Sequence, residues 1–290
     1  MVHIRRKHGW ELPESSATPQ EAVLNRRAFM RGLGLATALG AAGAAGLLHA
    51  PAARADEMED EIAHLPALQA KPNPEFALDL PPTPEVIAAK YNNFYEFTSD
   101  KDVWKFVSGF HPRPWQLEVG GLVAKKRTFD VDDLLRKMPL EERTYRFRCV
   151  EAWSEVIPWV GFPMAALMKE VQPLSSAKYV QMTTFFRPKE AIRQGEKPFF
   201  GPPEPWPYTE GLTLAEASNE LTLLAVGMYG KELARQHGAP IRLVVPWKYG
   251  YKNIKSIVKI DFVAEQPKTF WNILGPSEYG FTSNIDPAVP

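Results

Sequence analysis

The sequence predicts an α+β fold, a single mixed domain of many strands with short helices and long loops. Three observations carry this expectation. Segments alternating apolar and polar residues recur between residues 115 and 263, whereas the helix signals are brief. The 27 prolines among 290 residues disfavour a helical bundle, because each fixes φ and removes a backbone donor. No Gly-rich dinucleotide fingerprint and no internal repeat occurs, which argues against doubly wound and solenoid architectures. At 45% hydrophobic and 23% charged, the composition is that of an ordinary globular chain. Basic and acidic residues number 34 each, so the basic footprint of a nucleic-acid binder is missing.

Residues 1–55 read as a leader outside the fold. Asn25-Arg26-Arg27-Ala28-Phe29-Met30-Arg31 precedes an uncharged, Gly/Ala-rich stretch over residues 32–48. Ala53-Arg54-Ala55 then puts small residues at the two positions a signal peptidase reads. The stretch is too short and too rich in glycine for a membrane anchor. The paired arginines resemble a twin-arginine signal. That route carries folded cargo, so the expected product is a soluble periplasmic chain, residues 56–290, with a cofactor inserted before export. The leader is basic, so the remainder is slightly acidic.

Residues 56–84 are acidic and proline-rich and are expected as an extended arm, with the folded domain over 85–290. Trp115-Gln116-Leu117-Glu118-Val119 reads as a half-buried strand ended by Gly120-Gly121. Residues 130–138 read as a capped helix stopped by Pro139. Residues 145–150 alternate again; the pleat puts Tyr145, Phe147 and Cys149 on one face and Arg146 and Arg148 on the other. Short helices are expected over 163–171 and 213–218, the first with proline at its start. Further strands are expected over 178–186, 221–226, 241–245 and 257–263. A Pro/Gly-rich loop between 187 and 209 contains Phe199-Phe200-Gly201-Pro202-Pro203, with Lys189 and Arg193 read as a solvated rim. Trp247-Lys248-Tyr249 has the make-up of a surface cation–π cluster.

The chemistry gathers around Cys149, the single cysteine, which has no partner for an intramolecular disulfide. It has three readings: a buried small hydrophobe, a redox or nucleophilic thiol, or a metal thiolate. A free reactive thiol in an oxidising compartment is a liability unless sealed or ligated. Arg146 and Arg148 add nearby positive charge, which favours a thiolate. The six histidines are scattered without i,i+2 or i,i+4 pairs, so a metal at Cys149 would have to bring its own ligands.

Arg148-Cys149-Val150-Glu151-Ala152-Trp153-Ser154, followed by Pro158-Trp159-Val160-Gly161-Phe162-Pro163, resembles the molybdopterin-binding core of the sulfite oxidase family. The resemblance is closest to its periplasmic methionine sulfoxide reductase branch. That branch is also suggested by Tyr91-Asn92-Asn93-Phe94-Tyr95-Glu96-Phe97, by Gly238-Ala239-Pro240-Ile241-Arg242-Leu243 and by Pro246-Trp247-Lys248-Tyr249-Gly250-Tyr251-Lys252. It covers most of residues 80–290 and implies the sulfite oxidase type of α+β domain for residues 85–290.

The resemblance implies Cys149 as the one protein ligand to molybdenum. It implies pterin contacts from Asn92, Tyr95, Glu96, Thr184, Arg242, Asn253, Ile254 and Lys255. Where some members carry Asn before Gly-Ala-Pro this chain has His237, which still offers one hydrogen-bond donor. Arg242, Lys252 and Lys255 are the basic residues suited to gripping the cofactor phosphate. The implied reaction is oxygen-atom transfer from methionine sulfoxide in oxidised proteins. Electrons would come from a membrane haem-b subunit fed by quinol. Sulfite oxidation and small S- or N-oxide reduction are the rival chemistries on the same cofactor, and a non-catalytic periplasmic binding protein is the rival class.

Overall fold

The computed structural model describes residues 55–196 and 203–286. The leader motif and most of the Phe199–Pro203 run lie outside the described residues. Alternating burial along the predicted strands builds two sheets. In the first, β1 (Lys71–Pro72), β4 (Glu141–Arg148), β5 (Ser154–Pro163), β8 (Leu223–Met228) and β10 (Arg242–Val244) lie in that order, with β9 (Lys231–Glu232) also paired to β8. In the second the order is β3 (Arg127–Asp130), β2 (Gln116–Gly121), β11 (Ile257–Val263), β6 (Tyr179–Thr184) and β7 (Thr209–Thr213). The β1–β4 and β2–β11 pairs are parallel and the others antiparallel. These mixed sheets with few, short helices are the α+β arrangement the sequence predicts.

The helices are α1 (Ala55–Ala63), α2 (Glu85–Lys90), α3 (Val131–Lys137), α4 (Met164–Val171), α5 (Leu214–Ser218) and α6 (Phe270–Leu274). Each end has a local cause. Asp130 caps α3 by accepting from the Asp132 amide at 2.8 Å, and Arg136 and Lys137 face the negative end of its dipole. Thr213 and Glu216 form a reciprocal capping box on α5. Helix α4 starts after Pro163 and stops at Gln172, which adopts φ 56.

One large cluster joins the two sheets: Leu117, Val119, Val180, Met182 and Phe262 from one face Phe162, Leu224 and Leu243 from the other. Burying each such side chain contributes roughly 1.5–3 kcal/mol. A second cluster of Tyr145, Ile157, Trp159 and Ala225 packs with Phe76. Strand β5 is the long central element that sequence patterning did not single out, because Pro158 and Pro163 punctuate it. At Gly161 its register shifts against β8, and a Cβ there would lie 2.3 Å from the Leu224 carbonyl oxygen, so only glycine fits.

Several expectations are corrected. Residues 56–84 are more than an extended arm. Helix α1 buries Met58 and Ile62 four residues apart, a single 3-10 turn buries Phe76, and β1 pairs with β4. Lys248 is not on the surface; its ammonium donates to Glu216 at 2.6 Å, to the Thr282 carbonyl at 2.6 Å and to Asn284 at 2.8 Å. Lys189 is exposed, but Arg193 is largely covered and donates to Glu204 at 2.8 Å. Strand β4 ends at Arg148, so Cys149 sits in the turn beyond it and not on the strand face.

Candidate active site

The turn between β4 and β5 is what aims Cys149. The Cys149 amide donates to the Trp153 carbonyl at 2.9 Å, the Ala152 amide returns to the Cys149 carbonyl at 3.1 Å, and Ala152 takes φ 75. This compact loop, closed by the β4–β5 ladder, holds the sulfur at one side of an open cleft. Asn92, Tyr95, Glu96, Cys149 and His237 line that cleft, and so do Arg242, Asn253, Ile254 and Lys255. Residues far apart in sequence are therefore brought together as expected. Thr184 does not line it. Its hydroxyl donates to the Lys255 carbonyl at 2.9 Å and the Ser256 carbonyl at 3.1 Å, bracing the loop that carries Lys255.

Around Cys149 stands a polar group that sequence reasoning largely missed. Asn93 donates its amide N–H to the Cys149 sulfur at 3.6 Å and to Glu151 at 3.3 Å. Lys101 donates to the Asn93 side-chain carbonyl at 2.6 Å and pairs with Glu151 at 2.6 Å. Trp153 donates from its indole nitrogen to the same carboxylate at 3.0 Å. Burial works against the Glu151 anion, but Lys101, Trp153 and Asn93 together hold its carboxyl below the usual range. Burial and then Glu151 push the Cys149 thiol up to about 12. Lys101 is a cation that favours the thiolate, whereas the pleat turns Arg146 outward to solvent. Glu151 and Trp153 lay inside the quoted motif, whereas nothing in the sequence marked Lys101.

The other side of the cleft is basic. The Arg242 guanidinium donates to the His237 carbonyl at 2.9 Å and the Asn253 carbonyl at 3.3 Å, and lies 4.9 Å from the Trp159 ring. Lys255 donates to the carbonyls of Asn93 at 2.7 Å and Gln236 at 2.8 Å. Burial lowers Arg242 to about 9 and, with each cation repelling the other, holds Lys255 and His237 well below their ordinary values. Burial pushes the facing acids, Glu96 and Glu155, up to about 7. Asn253 uses its side chain on the backbone, accepting from the Val245 amide at 2.5 Å and donating to Tyr249 at 3.2 Å. Lys252 is not a phosphate grip. It is fully buried, paired with Glu210 at 2.5 Å and donating to the Gly211 carbonyl at 2.8 Å.

These features fit a phosphate-bearing pterin. Arg242 and Lys255 stand at one side while burial holds the facing Glu96 and Glu155 toward the neutral acid, an arrangement that an incoming dianion would complete. Asn92 lines the same cleft with a buried carbonyl oxygen that has no donor among the described residues. Among the described residues no three His, Cys, Asp or Glu gather to hold a metal. A metal at Cys149 would thus take its remaining ligands from the cofactor, as dithiolene sulfurs allow.

A thiol beside a cleft that carries Arg242 and Lys255, on mixed sheets, suits a cofactor-dependent oxidoreductase. Residues 105–271 match the family described as oxidoreductase molybdopterin binding domain. The protein-methionine-sulfoxide reductase catalytic subunit MsrP of Ralstonia nicotianae is 48% identical over 285 residues, covering 97% of this chain and 81% of that protein. The subunit of the same name from Burkholderia mallei is 45% identical over 282 residues, covering 97% and 82%. The sulfane dehydrogenase SoxCD of Paracoccus pantotrophus aligns with TM-score 0.44 and 15% identity, over 77% of this chain and 54% of its own. The chain belongs to the molybdopterin-binding oxidoreductase family, alongside these MsrP catalytic subunits.

Proposed function

We propose that the chain reduces methionine sulfoxide residues in oxidised proteins, with molybdenum held by Cys149 and a pterin held by the basic side of the cleft. The observation that carries this reading is the position of Cys149 in that shared cleft, 3.6 Å from Asn93 and beside a paired Lys101 and Glu151. The names of the two relatives point to the same substrate. When bound, the molybdenum–pterin group supplies the two-electron oxygen-atom transfer chemistry.

The protein's own part is ligation, orientation and access. Arg242 and Lys255 hold the phosphate, with His237 beside them, while Asn92 takes a cofactor donor on its free oxygen. Asn93 donates to the Cys149 sulfur and is itself held by Glu151 and Lys101, as outer groups orient a metal ligand. Half-exposed Trp153 lines the cleft and meets exposed Tyr91 edge to face at 5.3 Å. This aromatic edge suits the methylenes and sulfur of a methionine side chain. The local charges beside the thiol form a neutral pair, which favours a neutral sulfoxide over dianionic sulfite.

The leader motif supports export by the twin-arginine route and action in the periplasm. No nicotinamide or flavin motif is visible, so electrons come from another protein, a membrane haem-b subunit. Among the described residues no helix is long and apolar enough to cross a membrane. The test is metal and pterin analysis of the exported protein, joined to assays with a reduced dye as electron donor. About one molybdenum per chain with turnover of oxidised protein supports the reading. Turnover of sulfite alone, or a chain without molybdenum, overturns it. Lysine at both Arg26 and Arg27 leaves loaded protein in the cytoplasm if the export reading holds.

A further inference from the structure

Trp159 carries an observation that none of the roles above uses. It sits in the middle of β5, paired with Arg143 on β4 and Met228 on β8, so its backbone is fixed from both sides. The side chain is 2% exposed and lines the cofactor cleft. Its indole N–H is buried and has no acceptor among the described residues. Buried indole N–H groups normally find a partner, and an orphan of this kind calls for a physical reason. The neighbours suggest one: the Arg242 guanidinium lies 4.9 Å from the ring, and Arg242 and His237 line the same cleft.

We infer that Trp159 is a cofactor-binding residue, donating its indole N–H to a phosphate oxygen of the pterin cofactor beside Arg242. Arg242 supplies charge, while three of its own donors are directed at the His237, Leu243 and Asn253 carbonyls. A neutral N–H adds a directed donor without adding another buried cation to a pocket that already holds Arg242 and Lys255. The donor belongs to a rigid central strand, whereas Lys255 belongs to a loop, so Trp159 is preset for the anion. The assignment concerns cofactor retention, and its failure leaves the sulfoxide reductase reading untouched.

The sign of the effect separates binding from packing. Without cofactor the N–H is an unmet buried donor, so removing it leaves the fold as stable as before or more so. With cofactor, its removal strips a hydrogen bond from an anion. The experiment compares full-length wild-type protein, Trp159→Phe, and a protein with β-(3-benzothienyl)alanine at 159, which keeps the ring volume but has sulfur in place of N–H. Each is made in cells that synthesise the pterin and in cells that do not. Cofactor-free melting temperature and molybdenum retained after prolonged dialysis are read for all three. The expected result for the isosteric protein is an unchanged or higher cofactor-free melting temperature with about ten-fold weaker retention. Trp159→Phe weakens retention in the same way, whatever small packing loss its missing ring brings. Unchanged retention in the isosteric protein overturns the assignment, as does a lowered cofactor-free melting temperature in that protein.

Discussion

Asn93 and Cys149 are 56 residues apart, yet the Asn93 amide points at the Cys149 sulfur from 3.6 Å. What orients that amide is Lys101, which accepts no bond and donates to both the Asn93 carbonyl and Glu151. The sulfur environment is therefore fixed by one cation outside the turn that bears the cysteine.

Lys101→Met should keep the fold and most of the molybdenum but lower turnover of oxidised protein about ten- to hundred-fold, the usual scale for groups that orient a metal ligand. Lys101→Arg should recover part of it. Activity per bound molybdenum and the molybdenum redox potential check this, and a full-activity Lys101→Met protein would remove Lys101 from the site.

Cys149→Ser should abolish turnover. In the cofactor-free protein a thiol-alkylating reagent should label Cys149 slowly at neutral pH and faster in alkali, because burial pushes the thiol up to about 12. The loaded protein should resist labelling under the same conditions, since the sulfur is engaged by metal. Mass spectrometry after timed labelling reads the difference, and equal rates in both forms would refute ligation.

Glu210 and Lys252 form a salt bridge with both side chains fully buried, at the start of the loop leading to Asn253 and Lys255. Lys252→Met alone leaves the Glu210 carboxylate uncompensated and should destabilise the protein by about 3–5 kcal/mol. Adding Glu210→Leu should restore much of that loss. Urea unfolding of the cofactor-free chains measures both, and a single variant as stable as the double would contradict a paired role.

This pair also shows where the sequence was legible and where it was not. Arg242, inside the Gly238–Leu243 motif, and Lys255, three residues beyond the Pro246–Lys252 motif, both line the cleft. Lys252 was grouped with them as a phosphate grip, since its partner, on β7, is distant in sequence. Lys101 escaped notice for the same reason: a lysine in a polar run shows no partner until folding brings Glu151 to it. Strand β5 was hidden by two prolines that its central position tolerates. Helix α1 was hidden by the proline-rich stretch behind it, although Met58 and Ile62 already stood at helical spacing. Thr184 carried no local signal at all, and folding uses its hydroxyl on the carbonyls of Lys255 and Ser256 and not on the cleft.

The acids facing the basic side make stability depend on pH in a direction opposite to that of a salt-bridged surface. Burial raises both Glu96 and Glu155 from 4.5 to about 7, against the pull of Lys255 on both and of Arg242 on Glu155. The folded state thus holds protons that the unfolded chain has released. Their contribution is fully present below about pH 4.5 and is lost as pH rises through about 7. Across that window the cofactor-free protein should lose stability with rising pH, apart from the titration of other groups. Glu155→Gln removes one titrating site while keeping its shape, so it should flatten the dependence and leave the protein relatively more stable at pH 8. The urea midpoint measured every half unit from pH 4.5 to 8 tests this. A Glu155→Gln curve parallel to that of the wild type would show that Glu155 is ionised in the fold, paired with Arg242 and Lys255 in the absence of the cofactor phosphate.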